Sequence, residues 1–167
     1  MEWLKKFRLL NERQQTYISG KIDFELEMMS HEQDSENMLD VLVLTGNMED
    51  GMVLDSANEE RIYCPEYIKK YGERLHCGIR ITSNHLNPVY VRNDILGISK
   101  KPPRDGDTCI LIHKPTGRAF IRKMQQGNPC HLLPINGYGD IITVDPNNHT
   151  DMVQWLKFGV VIAVLRR

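Results

Sequence analysis

Few residues of this chain could carry chemistry. Ser83 and His85 stand two apart, the spacing that puts both side chains on one face of an extended segment. That is the arrangement of a hydroxyl nucleophile beside an imidazole base, although no third side chain is evident to orient the ring. Arg122 cannot act as a base, because guanidinium stays protonated in proteins. Lys123 beside it carries an amine that desolvation could neutralise, but neighbouring strand residues point to opposite faces. The histidines and cysteines His76-Cys77, Cys130-His131, His85 and His113 lack the short CxxC or HxxxH spacings of metal sites. No metal and no other cofactor is expected. Cys64, Cys77, Cys109 and Cys130 form no regular framework, which argues for reduced thiols and a cytoplasmic protein.

The elements that must position these residues follow from hydropathy and charge. The formal net charge of -1 conceals three blocks. Residues 1–22 hold five Lys/Arg against two Glu, residues 23–60 hold twelve Asp/Glu and no Lys or Arg, and residues 61–167 hold sixteen Lys/Arg against eight Asp/Glu. Blocks of this kind suggest segments with different tasks. The spacing of Trp3, Leu4, Phe7 and Leu10 predicts a short helix from Glu2 to about Ile18, stopped at Ser19-Gly20. An acidic, Met-rich stretch from Asp23 to about Met38 follows as a weak helix or linker. Residues 1–40 are too short for a helix-turn-helix head, and their acidic part would repel phosphates. No apolar run reaches the roughly 20 residues that cross a bilayer, and the first residues lack the apolar core of a secretory signal.

From Leu39 the pattern turns β-like. Val41–Leu44, Cys77–Thr82, Val89–Val91, Ile95–Ile98, Thr108–His113, Ala119–Met124, His131–Leu133, Ile141–Val144 and Phe158–Leu165 read as short strands. Lys114-Pro115-Thr116-Gly117 is a hairpin signal, and residues 65–72 and 150–156 add a helical turn each. Short strands separated by Gly, Pro, Asn and Asp predict a mainly β fold, a curled sheet or small barrel at 41–167, preceded by a short helical arm at 1–40. The linker Ser99-Lys100-Lys101-Pro102-Pro103 reads as an exposed turn.

Four islands in this order resemble the C-terminal domain of the LexA-like self-cleaving family, which includes LexA, the lambda-type phage repressors and the UmuD-like polymerase accessory proteins. Gly46-Asn47-Met48-Glu49-Asp50-Gly51 is similar to the segment holding the cleaved dipeptide. Ile81-Thr82-Ser83-Asn84-His85-Leu86-Asn87-Pro88 with Asn93-Asp94 resembles the segment around the nucleophilic serine. Pro103-Arg104-Asp105-Gly106-Asp107 looks like the second Gly-Asp turn. Phe120-Ile121-Arg122-Lys123-Met124 through Leu132-Leu133-Pro134-Ile135-Asn136-Gly137-Tyr138 resembles the lysine-bearing strand and the L-x-P-x-N-x-x-Y turn. Phe158–Val164 is similar to the last strand.

On this likeness His85 stands in the serine's place and Arg122 in the lysine's, 37 residues apart, while Asp50-Gly51 stands at the cleavage site. An imidazole would not form the usual acyl-enzyme, a guanidinium is no base, and Asp50 puts a charge where the family has a small residue. The resemblance therefore implies a pseudo-peptidase. It would be a non-catalytic module for dimerisation and protein–protein interaction in a bacterial or phage transcription or stress-response regulator. A homodimer through the C-terminal strands, around residues 155–167, is implied, together with a protein partner that is a DNA-binding regulator or a polymerase. Two alternatives stand beside it: a UmuD-like accessory subunit of a polymerase or repair factor, and a self-cleaving peptidase with its nucleophile relocated to Ser83. Direct DNA binding stays open, since the basic residues are scattered.

Overall fold

A computed structural model describes residues 2–47 and 51–166 of the chain. The chain divides into two units, Met1–Met38 and Leu39–Arg167. In the first, helix α1 (Glu2–Arg8) is followed by α2 (Glu12–Glu36), 25 residues long. The break falls at residues 9–11, not at Ser19-Gly20, and the acidic stretch continues the helix. Asn11 and Gln14 explain the break. The Gln14 amide N–H donates to Asn11 Oδ1 (2.9 Å) and the Asn11 amide N–H donates to Gln14 Oε1 (3.1 Å). This reciprocal cap satisfies two helix-start donors and fixes the beginning of α2. Gly20 inside the helix costs about 1 kcal/mol relative to alanine, too little to end a helix started this way. Tyr17, Ile22, Phe24, Leu26 and Met29 are exposed along it.

The second unit is mainly β. Its strands are β1 (Met38–Asn47), β2 (Gly51–Tyr63), β3 (Cys77–Ile81), β4 (Ile95–Ser99), β5 (Thr108–His113), β6 (Arg118–Gln125), β7 (Cys130–Pro134), β8 (Ile142–Val144) and β9 (Trp155–Leu165). Two short helices, α3 (Pro65–Tyr71) and α4 (His149–Gln154), interrupt them. Among the described residues the sheet runs β2-β1-β3-β4-β9-β5-β6-β7-β8, and β2 also pairs with β6 at Met52 and Ala119. That pairing curls the sheet onto itself, leaving β7 and β8 to fold over one side. The contact is local, one registered pair near the start of β2, so it covers only that end of the strand's outer edge. The β1–β3 pair is parallel and the other registered pairs are antiparallel.

Period-two alternation sorts the strand residues into three apolar layers. Ile79, Ile81, Leu96, Ile98, Ile110, Ala119 and Ile121 point inward and pack with Leu44, Met52, Leu86 and Tyr90. On the opposite face of β1, β4 and β9, Val41, Ile95 and Leu165 are covered by Tyr67, Ile68 and Tyr71 of α3. Gly78 and Gly97 sit opposite each other in the β3–β4 register. A Cβ on Gly97 would lie 2.8 Å from Leu75 Cδ1 and 3.0 Å from Ala163 Cβ, so this layer seats closely only because the side chain is missing. Cys109, Leu111, Met124 and Val160 form the third layer, under Leu132 of β7 and Val144 of β8.

Several expectations change here. Val89–Val91 is not a strand but part of the loop between β3 and β4. Ser99 is the buried last residue of β4, its Oγ accepting from the Lys101 amide at 3.2 Å, rather than part of an exposed turn. The polar, acidic run 51–63 forms a 13-residue strand that sequence reading leaves unassigned. No helix among the described residues is long and apolar enough to cross a membrane.

Candidate functional site

The loop from Thr82 to Asp94 carries Ser83 and His85, and five anchors hold it. At its base the Ile81 amide N–H donates to the Asp94 carbonyl (2.9 Å) and the Asn93 amide N–H donates to the Ile81 carbonyl (2.8 Å). Asn93 makes the turn with φ 75°, a left-handed conformation that asparagine tolerates better than most residues. The Thr82 hydroxyl donates to the Leu44 carbonyl, fastening the loop to β1. Underneath, Leu86 and Tyr90 plunge into the inward layer. Burial pushes the Tyr90 phenol above its ordinary value. At the tip, the Asn136 side-chain amide donates to the carbonyls of His85 (2.8 Å) and Asn87 (3.1 Å).

His85 thus rides on a well-fastened loop with its own side chain exposed, while Ser83 is half-buried. Among the described residues no hydrogen bond joins Ser83 to His85, and none joins either side chain to Arg122. Asp50 lies outside the described residues; Gly51 opens β2. Strand parity decides where Arg122 goes. Ala119 and Ile121 face the inward layer that also holds Leu86 and Met52. Arg122 therefore faces the other way, and Lys123 returns to the Ile121 side, exposed at the strand's end.

On its own side Arg122 is 6% exposed. Its Nη1 donates to the Ile121 carbonyl at 3.0 Å, its Nε finds no acceptor, and its guanidinium carbon stands 5.4 Å from the centre of the Phe120 ring. It lines a cavity of about 630 Å³ with His113, Phe120, Tyr138, Asp140, Ile142 and Trp155. Trp155 meets Phe120 edge-on, ring centres 5.5 Å apart, and meets the His113 ring at 4.8 Å. Burial pulls the guanidinium below its ordinary value, and the Asp140 charge pulls it back up.

A smaller apolar cavity of about 290 Å³ lies beyond Trp155, bounded by Leu111, Met124, Cys130, Met152 and Lys157. Burial pushes Cys77 and Cys109 up to about 11, and Cys130 up as well, so none is a ready thiolate. Among the described residues no three His, Cys, Asp or Glu side chains gather where they could hold a metal. Sequence reading placed Arg122 by its alignment with a lysine; the aromatic ring of neighbours around it comes from β5, β6, the turn after β7 and β9, and no linear spacing announces it. No protein-family model matches the chain, and no curated protein matches it.

Proposed function

We propose that the chain is a non-catalytic LexA-like regulatory module that dimerises and binds protein partners in a bacterial or phage transcription or stress-response regulator, and that it works in the cytoplasm. The carrying observation is the well-fastened loop, which carries an imidazole at the position where the resembled family has its nucleophilic hydroxyl. Asn136, Leu86, Asp94 and Thr82 hold the segment 82–94 in place, yet the exposed group it presents is the imidazole of His85. Arg122, the other position that would need a reactive group, is a guanidinium buried against a different layer. A nucleophile and its base must lie within hydrogen-bond reach, and neither pairing is made by these side chains.

Dimerisation at the C-terminal strand takes a specific form. β9 pairs with β5 along residues 155–160 and with β4 along residues 160–165, so its last residues are registered on the β4 side alone and can offer their other edge to a second copy. Met152, Val153 and Leu156, exposed where α4 runs into β9, add an apolar surface beside it. The reading is tested by incubating the purified chain at alkaline pH, with and without an activated recombinase filament and nucleotide, and sizing it by light scattering and mass spectrometry. An intact chain at dimer mass is expected. Scission between Asp50 and Gly51 would defeat the non-catalytic reading, and a monomer at micromolar concentration would defeat the dimer.

A further inference from the structure

The Arg122 side chain presents an electrostatic problem. A cation withdrawn from water carries a penalty of roughly several kcal/mol unless paired and fully hydrogen-bonded. Here one of its three nitrogens finds a protein acceptor, the carbonyl of the preceding residue in its own strand. Nε is buried without a partner. The face of Phe120 offsets part of the cost from one side. The other open direction is the cavity, whose volume of about 630 Å³ lies within the usual range of small-molecule sites, about 300–1,000 Å³.

We propose that this cavity binds a free apolar α-amino acid, the ligand's carboxylate pairing with Arg122 and its ammonium with Asp140. Asp140 lines the same cavity and its charge is felt at Arg122, yet the two form no ion pair. An opposite pair that shares a pocket without closing on itself leaves room for a ligand bearing both charged groups on one carbon. Apart from the two charged groups and Gly139, the walls are mainly aromatic: His113, Phe120, Tyr138 and Trp155, with Ile142 beside them. They suit an aromatic or branched aliphatic side chain best. Asp140 argues against a phosphate or a nucleic-acid backbone, which it would repel. A peptide's carboxyl end brings the carboxylate but has an amide nitrogen where the ammonium should be, leaving Asp140 unanswered.

Calorimetric titration of the full chain with L-phenylalanine and with L-leucine tests the site. Saturable one-to-one binding is expected for at least one of them. Arg122→Met and Asp140→Asn should each weaken it about 10- to 100-fold, the loss of one charge-assisted hydrogen bond. Against the unaltered chain, N-acetyl-L-phenylalanine and phenylethylamine, each lacking one charge, should weaken by a similar factor. Asp140 is exposed, so its substitution leaves the fold intact, and the urea midpoint of Arg122→Met shows whether that variant is folded. The proposal is overturned if neither amino acid binds at millimolar concentration, if the Asp140 variant binds as well as the original, or if the N-acetyl compound binds as tightly as the free amino acid.

Discussion

Arg166, one residue beyond the end of β9, donates through Nε to both carboxylate oxygens of Asp94, at 3.1 and 3.2 Å, across 72 positions of sequence. The two partners differ in exposure. Asp94 is 2% exposed and also accepts from the Val91 amide at 2.9 Å, while the Arg166 side chain is 60% exposed. Removing the buried member strips the loop 82–94 of its closing contact and leaves the Val91 N–H without its acceptor. Asp94→Ala should therefore lower stability by about 2–3 kcal/mol. Arg166→Ala, which removes a solvent-screened group, should lower it by about 1 kcal/mol. Equilibrium urea unfolding gives both values, and equal losses would mean that the pair is a surface contact after all.

How much of this was legible beforehand depends on where the information lies. The hairpin of β5 and β6 reads directly: Ile110, Leu111 and Ile112 make one run, Ala119, Phe120 and Ile121 the other, and Gly117 with φ 67° closes the turn between them. Strand β2 does not read, because Asp55, Asn58, Glu59 and Glu60 give it the composition of a linker. It is a strand because β1 and β6 flank it, and its salt bridges are tertiary too, Arg61 to Asp40 at 3.0 Å and Arg80 to Glu60 at 2.6 Å. Val89–Val91 fails for the opposite reason. Its β-branched residues invite a strand, but Tyr90 turns into the core and the backbone follows the loop. The helix break was available in the Asn11-x-x-Gln14 pattern, which the stronger-looking Ser19-Gly20 masked. The aromatic cavity around Arg122 was not available, since His113, Phe120, Tyr138 and Trp155 come from four separate parts of the chain.

The thiols set an alkaline limit on stability. Burial raises Cys77 and Cys109 from 9.0 to about 11 in the folded chain. Between those two pH values the unfolded chain loses its thiol protons while the folded chain keeps them. The unfolded state then binds fewer protons, so stability falls as pH rises through this window and is unaffected by these groups below it. The urea midpoint should drop steadily from pH 9 to pH 11. In Cys77→Ala/Cys109→Ala the drop should be shallower, and an unchanged slope would assign the alkaline loss to other groups.

Thiol accessibility follows from the same burial. Cys64, Cys77 and Cys109 are buried, whereas Cys130 is partly exposed at the start of β7. A disulfide reagent at neutral pH should modify one thiol quickly, and the other three on the timescale of unfolding. Peptide mapping should place the fast adduct on Cys130. Rapid modification of Cys109 in the native chain would contradict its 1% exposure.

Two glycines should respond to alanine in opposite directions. In β9, a Cβ on Gly159 would collide with Ile98 Cγ2 and sit 2.8 Å from the Ser99 carbonyl oxygen, and backbone cannot move aside cheaply. Gly159→Ala should cost about 1–3 kcal/mol as overpacking. Gly20 in α2 has nothing within 4 Å of its notional Cβ. Gly20→Ala should steady that helix by about 1 kcal/mol, seen as added helical ellipticity and a higher melting temperature for the first unit.

Asn136 is the tether that sequence pattern alone would pass over as one more turn residue. Its side-chain nitrogen holds two carbonyls of the loop tip, those of His85 and Asn87. In Asn136→Ala both acceptors turn to water, which the exposed tip permits, so the global loss should be modest, about 1 kcal/mol. The local loss should be larger. Within the loop the Asn87 amide donates to the Asn84 carbonyl and the Tyr90 amide to the Leu86 carbonyl, each at 3.1 Å. These amides should exchange with solvent deuterium markedly faster in the variant, while those of β4 and β9 keep their protection. If the loop amides exchange as before, the tip is held by Leu86 and Tyr90 beneath it, and Asn136 fixes only the turn after β7.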